Sequence, residues 1–369
     1  MNRLFRWDQT GLFLLALAAG ILPFAVPEVC AAALREGLTL CSGPLLLSLF
    51  PFLVVSRLLI QCPESDLLAL PFRLAAWGIG IRTPCAARVL CIGFLGGFAP
   101  AASAAAQAVR TGQLTAEEAD ALLPACICSG PSFVVLTVGQ SLLGSAELGV
   151  LLFASQITAN YLTAALLNRF AGVRSVKPGS AAPASPAPPR LDEILADAAI
   201  TYCKLCGFIL FFRMLAAGAG ALLPAGAGTL CAVLLEVCSG CDLASRTGRW
   251  GSLLCCAALS VQGLSVLLQV RTICPPEMTL RPLYRARLLH LPLSLALFYL
   301  LLPGGEADVF STLPARVLLM RRVPPDCALL VFAVCCMAVC TLRSGIRQVE
   351  QKQMARNAGG CCINSKTLL

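Results

Sequence analysis

The residues best suited to chemistry lie where apolar, helix-forming sequence is interrupted by Gly, Pro, Ser or Gln. There are four such places: Gly97-Phe98-Ala99-Pro100, Ser129-Gly130-Pro131-Ser132, Ser239-Gly240 and Gln262-Gly263. Pro131 suits the first turn of a helix, with Ser129 or Gly130 as its cap. A half-helix starting there presents free N–H groups and the positive end of its dipole, which is the chemistry of anion binding. Ser129 and Ser132 can donate hydrogen bonds beside it. Ser103 and Gln107 follow the first interruption, and Gln262, Ser265 and Gln269 surround the fourth. Glu236 sits in the apolar run LCAVLLEVCSG. A carboxylate is expensive in such a setting and is read first as functional. It could bind a coupling cation or carry a proton, and it could also pair with Arg213 or Lys204 for structure alone.

Other chemistries find little to work with. The chain has 21 Cys and two CxxC spacings, Cys203–Cys206 and Cys238–Cys241, but His290 is its only His. Most Cys lie inside apolar runs, where they behave as small hydrophobes, so neither a metal nor a cofactor is expected. No paired Asp, Ser–His arrangement or HExxH motif suggests an enzyme. The net charge of +9 comes from short connections and the tail rather than from a basic face interleaved with aromatics, so no nucleic-acid partner is expected. Arg57 and Arg213 read as snorkelling side chains. Asp192, Glu193 and Asp197 read as a solvated helix start.

The elements that position these residues are membrane helices. The chain is 58% hydrophobic and 13% charged, with a mean hydropathy of +0.81. The apolar residues fall in runs of about 15–25, the length that crosses a hydrocarbon core. The expected segments are 11–26, 41–60, 85–109, 120–143, 146–170, 194–223, 226–240, 250–273, 285–302 and 325–342. The fold class is an all-α polytopic protein of the cell membrane, with the bilayer as its solvent and room for a homo-oligomer. Arg3 and Arg6 before the first apolar run resemble the start of a signal peptide, but a retained first helix with both arginines in the cytoplasm fits better.

Residues 177–190, KPGSAAPASPAPPR, lack apolar periodicity and read as an extended linker. The organisation is therefore a first membrane half (1–172), a linker (173–190), a second membrane half (191–342) and a basic tail (343–369). Flanking Arg and Lys place the linker and tail in the cytoplasm. Residues 85–143 and 226–273 share an order: breaker, short segment, Arg-Thr-Gly turn, apolar segment, second breaker, third segment. Thr115 and Glu118 fit a capping box just after the first turn. Ser129 lies 14 residues beyond Thr115, about 21 Å at the helical rise. Pro100 lies 12 residues before Gly112, about 18 Å. Both breaks then fall near the middle of a core about 30 Å thick. Broken backbone at that depth is tolerated beside protein or a watery cavity, and paired breaks in two halves point to a transporter site.

These residues resemble the sporulation integral membrane protein YlbJ family, which carries the Gate, or nucleoside-recognition, domain. The resemblance covers nearly the whole chain, including 37–59, 93–133, LLEVCSGCDLAS and GLSVLLQV. It implies a fold like that of concentrative nucleoside transporters, with two repeats that each hold a re-entrant hairpin and a broken helix. It also implies a role in endospore formation, at the membrane around the forespore, in moving dipicolinic acid. The expected function is a permease for a small anionic solute, coupled to a sodium ion or proton. The alternative is a non-transporting scaffold or signalling protein of sporulation. The chain departs from the family at Gly97–Ala102, where Ser-Gly-Tyr-Pro is usual, at Ala125–Ser129, where Thr and Asn are usual, and near Leu267–Leu268, where a His is usual.

Overall fold

The computed structural model describes residues 9–62, 65–171 and 191–302. The linker, the segment at 325–342 and the basic tail lie outside the described residues. Every regular element among the described residues is helical. Four stretches are long and apolar enough to cross a membrane: Pro27–Leu47, Ala146–Ala171, Leu191–Leu222 and Gly248–Ile273. The chain thus has the make-up of a polytopic helical membrane protein.

The helix α1 (Gln9–Ala25) packs on α2 (Pro27–Ser42), and α2 lies along α10 (Leu191–Leu222). The expected segments pass over most of α2, because Glu28, Arg35 and Glu36 lower its hydropathy. Arg213 of α10 meets Glu36 at 2.7 Å. That contact replaces the snorkelling expected of Arg213, and its ion pair is with Glu36 rather than Glu236. α3 (Pro44–Gln61) also packs on α10. Two short helices, α4 (Ser65–Leu68) and α5 (Leu70–Gly78), lead onward.

From there the same order of elements runs twice. α6 (Pro84–Gly96) and α7 (Phe98–Arg110) fold back on each other about Gly97, and α11 (Ala225–Leu235) and α12 (Val237–Ser245) do so about Glu236. Each hairpin is followed by an interrupted helix. The first is α8 (Ala116–Cys126) and then a π-helix (Ser132–Leu142); the second is α13 (Gly251–Val261) and then α14 (Gly263–Ile273). A long helix closes each set, α9 (Ala146–Ala171) and α15 (Arg281–Leu301), and these two pack together. The capping box at the start of α8 is formed as expected: Glu118 N donates to Thr115 Oγ1 at 3.1 Å, and Thr115 N donates to the Glu118 carboxylate at 3.2 Å.

α9 shows what solvent the fold is built for. On this helix Ser155, Gln156, Asn160, Thr163 and Asn168 are all buried, with Gln156, Asn160 and Thr163 at the spacing of one helical face. Its outer face carries Val150, Leu162, Leu166 and Phe170, the last 82% exposed. A water-soluble helix has the opposite arrangement. Hydrogen bonds among buried polar groups join α9 to its neighbours: Asn168 Nδ2 donates to Ile79 O at 2.9 Å and Ala121 O at 3.1 Å. Gln156 Nε2 donates to Ser260 Oγ on α13 at 2.9 Å, and Ser260 Oγ is hydrogen-bonded to Ser294 Oγ on α15 at 2.5 Å. Leu162→Arg, on the outer face near the middle of α9, is expected to cost about 2.5–3.5 kcal/mol of membrane insertion. An insertion reporter fused after α9 should show the loss, while Leu162→Phe should insert normally.

Candidate functional site

The chain breaks meet in pairs. Gly97, at the tip of the first hairpin, has φ +81°, and a Cβ there would sit 2.6 Å from Gly130 N and 3.2 Å from Cys128 O. The tip therefore rests on bare backbone in the gap between α8 and the π-helix. Gly263, at the gap between α13 and α14, has φ +68°, and a Cβ there would sit 2.9 Å from Glu236 N and from Leu235 O. The second hairpin thus rests on the second gap in the same way. Only glycine combines this backbone conformation with so close an approach. The halves then interlock, α14 packing on α7 and the π-helix on α12.

The third break is not where the sequence suggests it. Ser239 and Gly240 lie inside α12, and the chain reverses three residues earlier, at Glu236 (φ −149°, ψ 126°). Gly240 serves close packing instead: a Cβ there would lie 2.8 Å from Val233 Cα on the facing arm. Glu236 is 2% exposed and caps α12 with its own side chain. Cys238 N donates to Oε1 at 2.9 Å and Ser239 N to Oε2 at 2.7 Å. Among the described residues neither Arg213 nor Lys204 pairs with it. The first turn of α7 holds Pro100, where the ring removes no helical hydrogen bond. Pro131 opens the π-helix without a side-chain cap, so Ser129 does not play the capping part its position suggests.

One cleft collects a subset of the expected residues. Ser129, Gly130, Ser132, Glu236 and Gln269 line it, with Gly96 and Phe98 from the first hairpin and Val237 and Cys238 from the second. The start of α7, the π-helix and α12 all face it, so three positive helix ends converge on one space. Glu236 neutralises one of them, and neither of the other two has a side-chain cap. Gln269 is 2% exposed; its Nε2 donates to Ser265 Oγ at 2.9 Å, and its Oε1 has no partner. The cleft measures about 50 Å³. That admits a few waters or a bare ion but not an aromatic dicarboxylate. Ser103 lies elsewhere, in hydrogen-bond contact with Arg57 Nε at 3.3 Å. Gln107 is half-buried farther along α7, and Gln262 is turned away from the cleft, donating to Ile127 O at 3.3 Å.

Arg287 of α15 carries a role that sequence reasoning missed. It is buried, and it donates through Nη2 to Ile127 O at 2.8 Å and through Nη1 to Ser260 O at 3.4 Å. These carbonyls belong to the ends of α8 and α13, the two half-helices that stop at the gaps. Asn160 Nδ2 adds a third donor to Ile127 O at 3.3 Å. His290, one turn beyond Arg287, is buried and bonded to Gln156 O at 3.2 Å, so it belongs to the same network. The signal was available: polar residues such as Gln156, Asn160 and Arg287 inside apolar segments are costly and need partners. The CxxC pairs divide between surface and core, with Cys203 exposed on α10 and Cys241 buried on α12. Among the described residues no three His, Cys, Asp or Glu side chains come together as metal ligands would.

Gly97→Ala and Gly263→Ala are each expected to cost about 1–3 kcal/mol through the left-handed backbone alone, and more through the backbone contacts. Thermal unfolding of the detergent-solubilised protein should show both losses. Gly207→Ala, in mid-helix with nothing within 4 Å of the added methyl, should hold or gain about 1 kcal/mol. Compared with known proteins, the chain matches no family model, no curated protein and no solved structure.

Proposed function

We propose that the chain is a membrane transporter for a small anionic solute, with the cleft between Ser129–Ser132, Glu236 and Gln269 as its binding site. The observation that carries this reading is the seating of each hairpin tip on a gap in an interrupted helix. Unwound backbone inside a membrane is costly, and here it is gathered around one cleft, apolar-walled with a few polar groups, rather than scattered. Two uncapped helix N-termini facing that space favour negative charge. The cleft as it stands is too small for a dicarboxylate, so the solute enters only when the hairpin tips part from the gaps. The closest of those contacts, at Gly97 and Gly263, are backbone against backbone.

On this reading the hairpins are re-entrant and the two sets of elements are repeats of the kind found in concentrative nucleoside transporters. Glu236 is the coupling group, exchanging a proton or meeting a sodium ion. The resemblance to the sporulation membrane proteins extends the proposal to dipicolinic acid and to the membrane around the forespore. A second reading, a scaffold or signalling protein built on a transporter frame, is favoured by the small cleft and by the Cys and Ala residues where the family is more polar.

Flux into proteoliposomes separates the two. Dipicolinate and other small dicarboxylates are offered with and without proton and sodium gradients. The transporter reading expects gradient-dependent uptake that Ser129→Leu, which fills the cleft, reduces at least about tenfold. Glu236→Gln should keep binding yet remove the gradient dependence. Absence of flux for every solute under every gradient, with a correctly inserted protein, would leave the scaffold reading standing.

A further inference from the structure

A second cavity, about 170 Å³ in volume, lies between α3, α7, α10 and α14. It shares one lining residue, Gln269, with the cleft. Its charged lining consists of Arg57, Arg110, Lys204 and Asp197, three cations against one carboxylate. Arg57 is at its centre. Nη1 pairs with Asp197 Oδ2 at 2.5 Å, Nη2 donates to Thr201 Oγ1 at 3.2 Å, and Nε donates to Ser103 Oγ at 3.3 Å. The two partners of the ion pair differ sharply in setting: the Arg57 side chain is 10% exposed and that of Asp197 is 61% exposed. The guanidinium is fixed by a helix hydroxyl on each side, while the carboxylate that faces it is held by little else and borders solvent.

We propose that this cavity is a receiving site for a small soluble dicarboxylate, in which Asp197 is a resident stand-in that the incoming carboxylate displaces from Arg57. Three features support the assignment. The guanidinium is a planar fork whose preferred partner is a carboxylate. With Asp197 turned away, the site carries three positive charges, enough for a doubly charged solute. Gln269 is buried with one amide atom unpartnered, and Ser265 Oγ, which can donate or accept, allows the amide to present its N–H to the cavity. Arg110 and Lys204 are exposed at the rim, where they attract anions from solution. The volume suits a dicarboxylate that the inner cleft does not admit. The inference deepens the proposed function by giving the solute an anteroom, but binding here requires no transport.

The test is succinate binding to the full chain in nanodiscs, measured calorimetrically. Wild-type protein in phosphatidylcholine nanodiscs should bind succinate saturably. Arg57→Gln should weaken binding at least about tenfold, the loss of one buried charge contact. Asp197→Asn should tighten binding several-fold, because the internal competitor is gone. A purely structural ion pair predicts the reverse pattern: both variants melt earlier and neither changes binding. Lys204→Gln, at the exposed rim, guards against misfolding in Arg57→Gln and should weaken binding and flatten its salt dependence. Unchanged affinity in Asp197→Asn and Lys204→Gln would overturn the proposal, as would absence of succinate binding in the wild type. So would binding seen in phosphatidylcholine but lost when phosphatidylglycerol is added, since that assigns the cations to a lipid phosphate. If succinate binds here but no flux is found in proteoliposomes, the receiving site stands and the transport reading falls.

Discussion

The guanidinium of Arg287 holds the carbonyl ends of two broken helices. Ile127 O, which Asn160 and Gln262 also reach, and Ser260 O lie where α8 and α13 stop, and a buried carbonyl left unpaired costs about 1–3 kcal/mol. Arg287 meets both from a third helix, α15, and its charge faces the negative ends of both half-helix dipoles. No carboxylate among the described residues forms an ion pair with it. The helix ends supply what a counter-ion would, and that is how a buried arginine is tolerated. The gaps are thus fixed in place by something other than the hairpins that rest on them. Hairpin and gap can then approach closely, with Gly97 at the first tip and Gly263 in the gap under the second, where any side chain would collide.

Glu236 is the counterpart of opposite sign. Its carboxylate sits on the start of α12, accepting from two backbone N–H groups. A cation therefore holds two carbonyl ends and an anion holds one amide end. The starts of α7 and the π-helix keep their N–H groups without a side-chain cap. This asymmetry gives the cleft its sign. A site whose charge comes from backbone rather than from Lys or Arg stabilises an anion without offering a cation that would grip it. Binding followed by release suits such a site better than permanent capture.

Legibility in the sequence followed the range of the interactions. The capping box at Thr115–Glu118 could be read because both partners lie within one turn. Three of the four breaks could be read because Gly and Pro disfavour a helix wherever they occur. The Ser239-Gly240 break was placed three residues late, since a glycine inside a membrane helix can serve close packing as readily as unwinding, and Gly240 packs against Val233. α2 was passed over because its charges hide a helix whose partner, α10, lies far along the chain. Arg57 and Arg287 were least legible. Arg57 meets Asp197 across 140 residues, and Arg287 meets Ile127 across 160. A single arginine in an apolar run shows that a partner must exist, but not which one.

The two cavities have different constructions, and the difference follows from where each lies. The inner cleft is walled mainly by apolar side chains, among them Leu95, Phe98, Phe133 and Ile209, with its few polar groups at the helix starts. The outer cavity is lined by long side chains: Arg57, held by Ser103 and Thr201, and the exposed Arg110 and Lys204 at the rim. The outer cavity therefore takes its charge from side chains, and the inner cleft takes its own from helix starts and Glu236. Gln269 belongs to both and is bonded only through Ser265 on its own helix. It is the residue through which the linings of the two cavities meet.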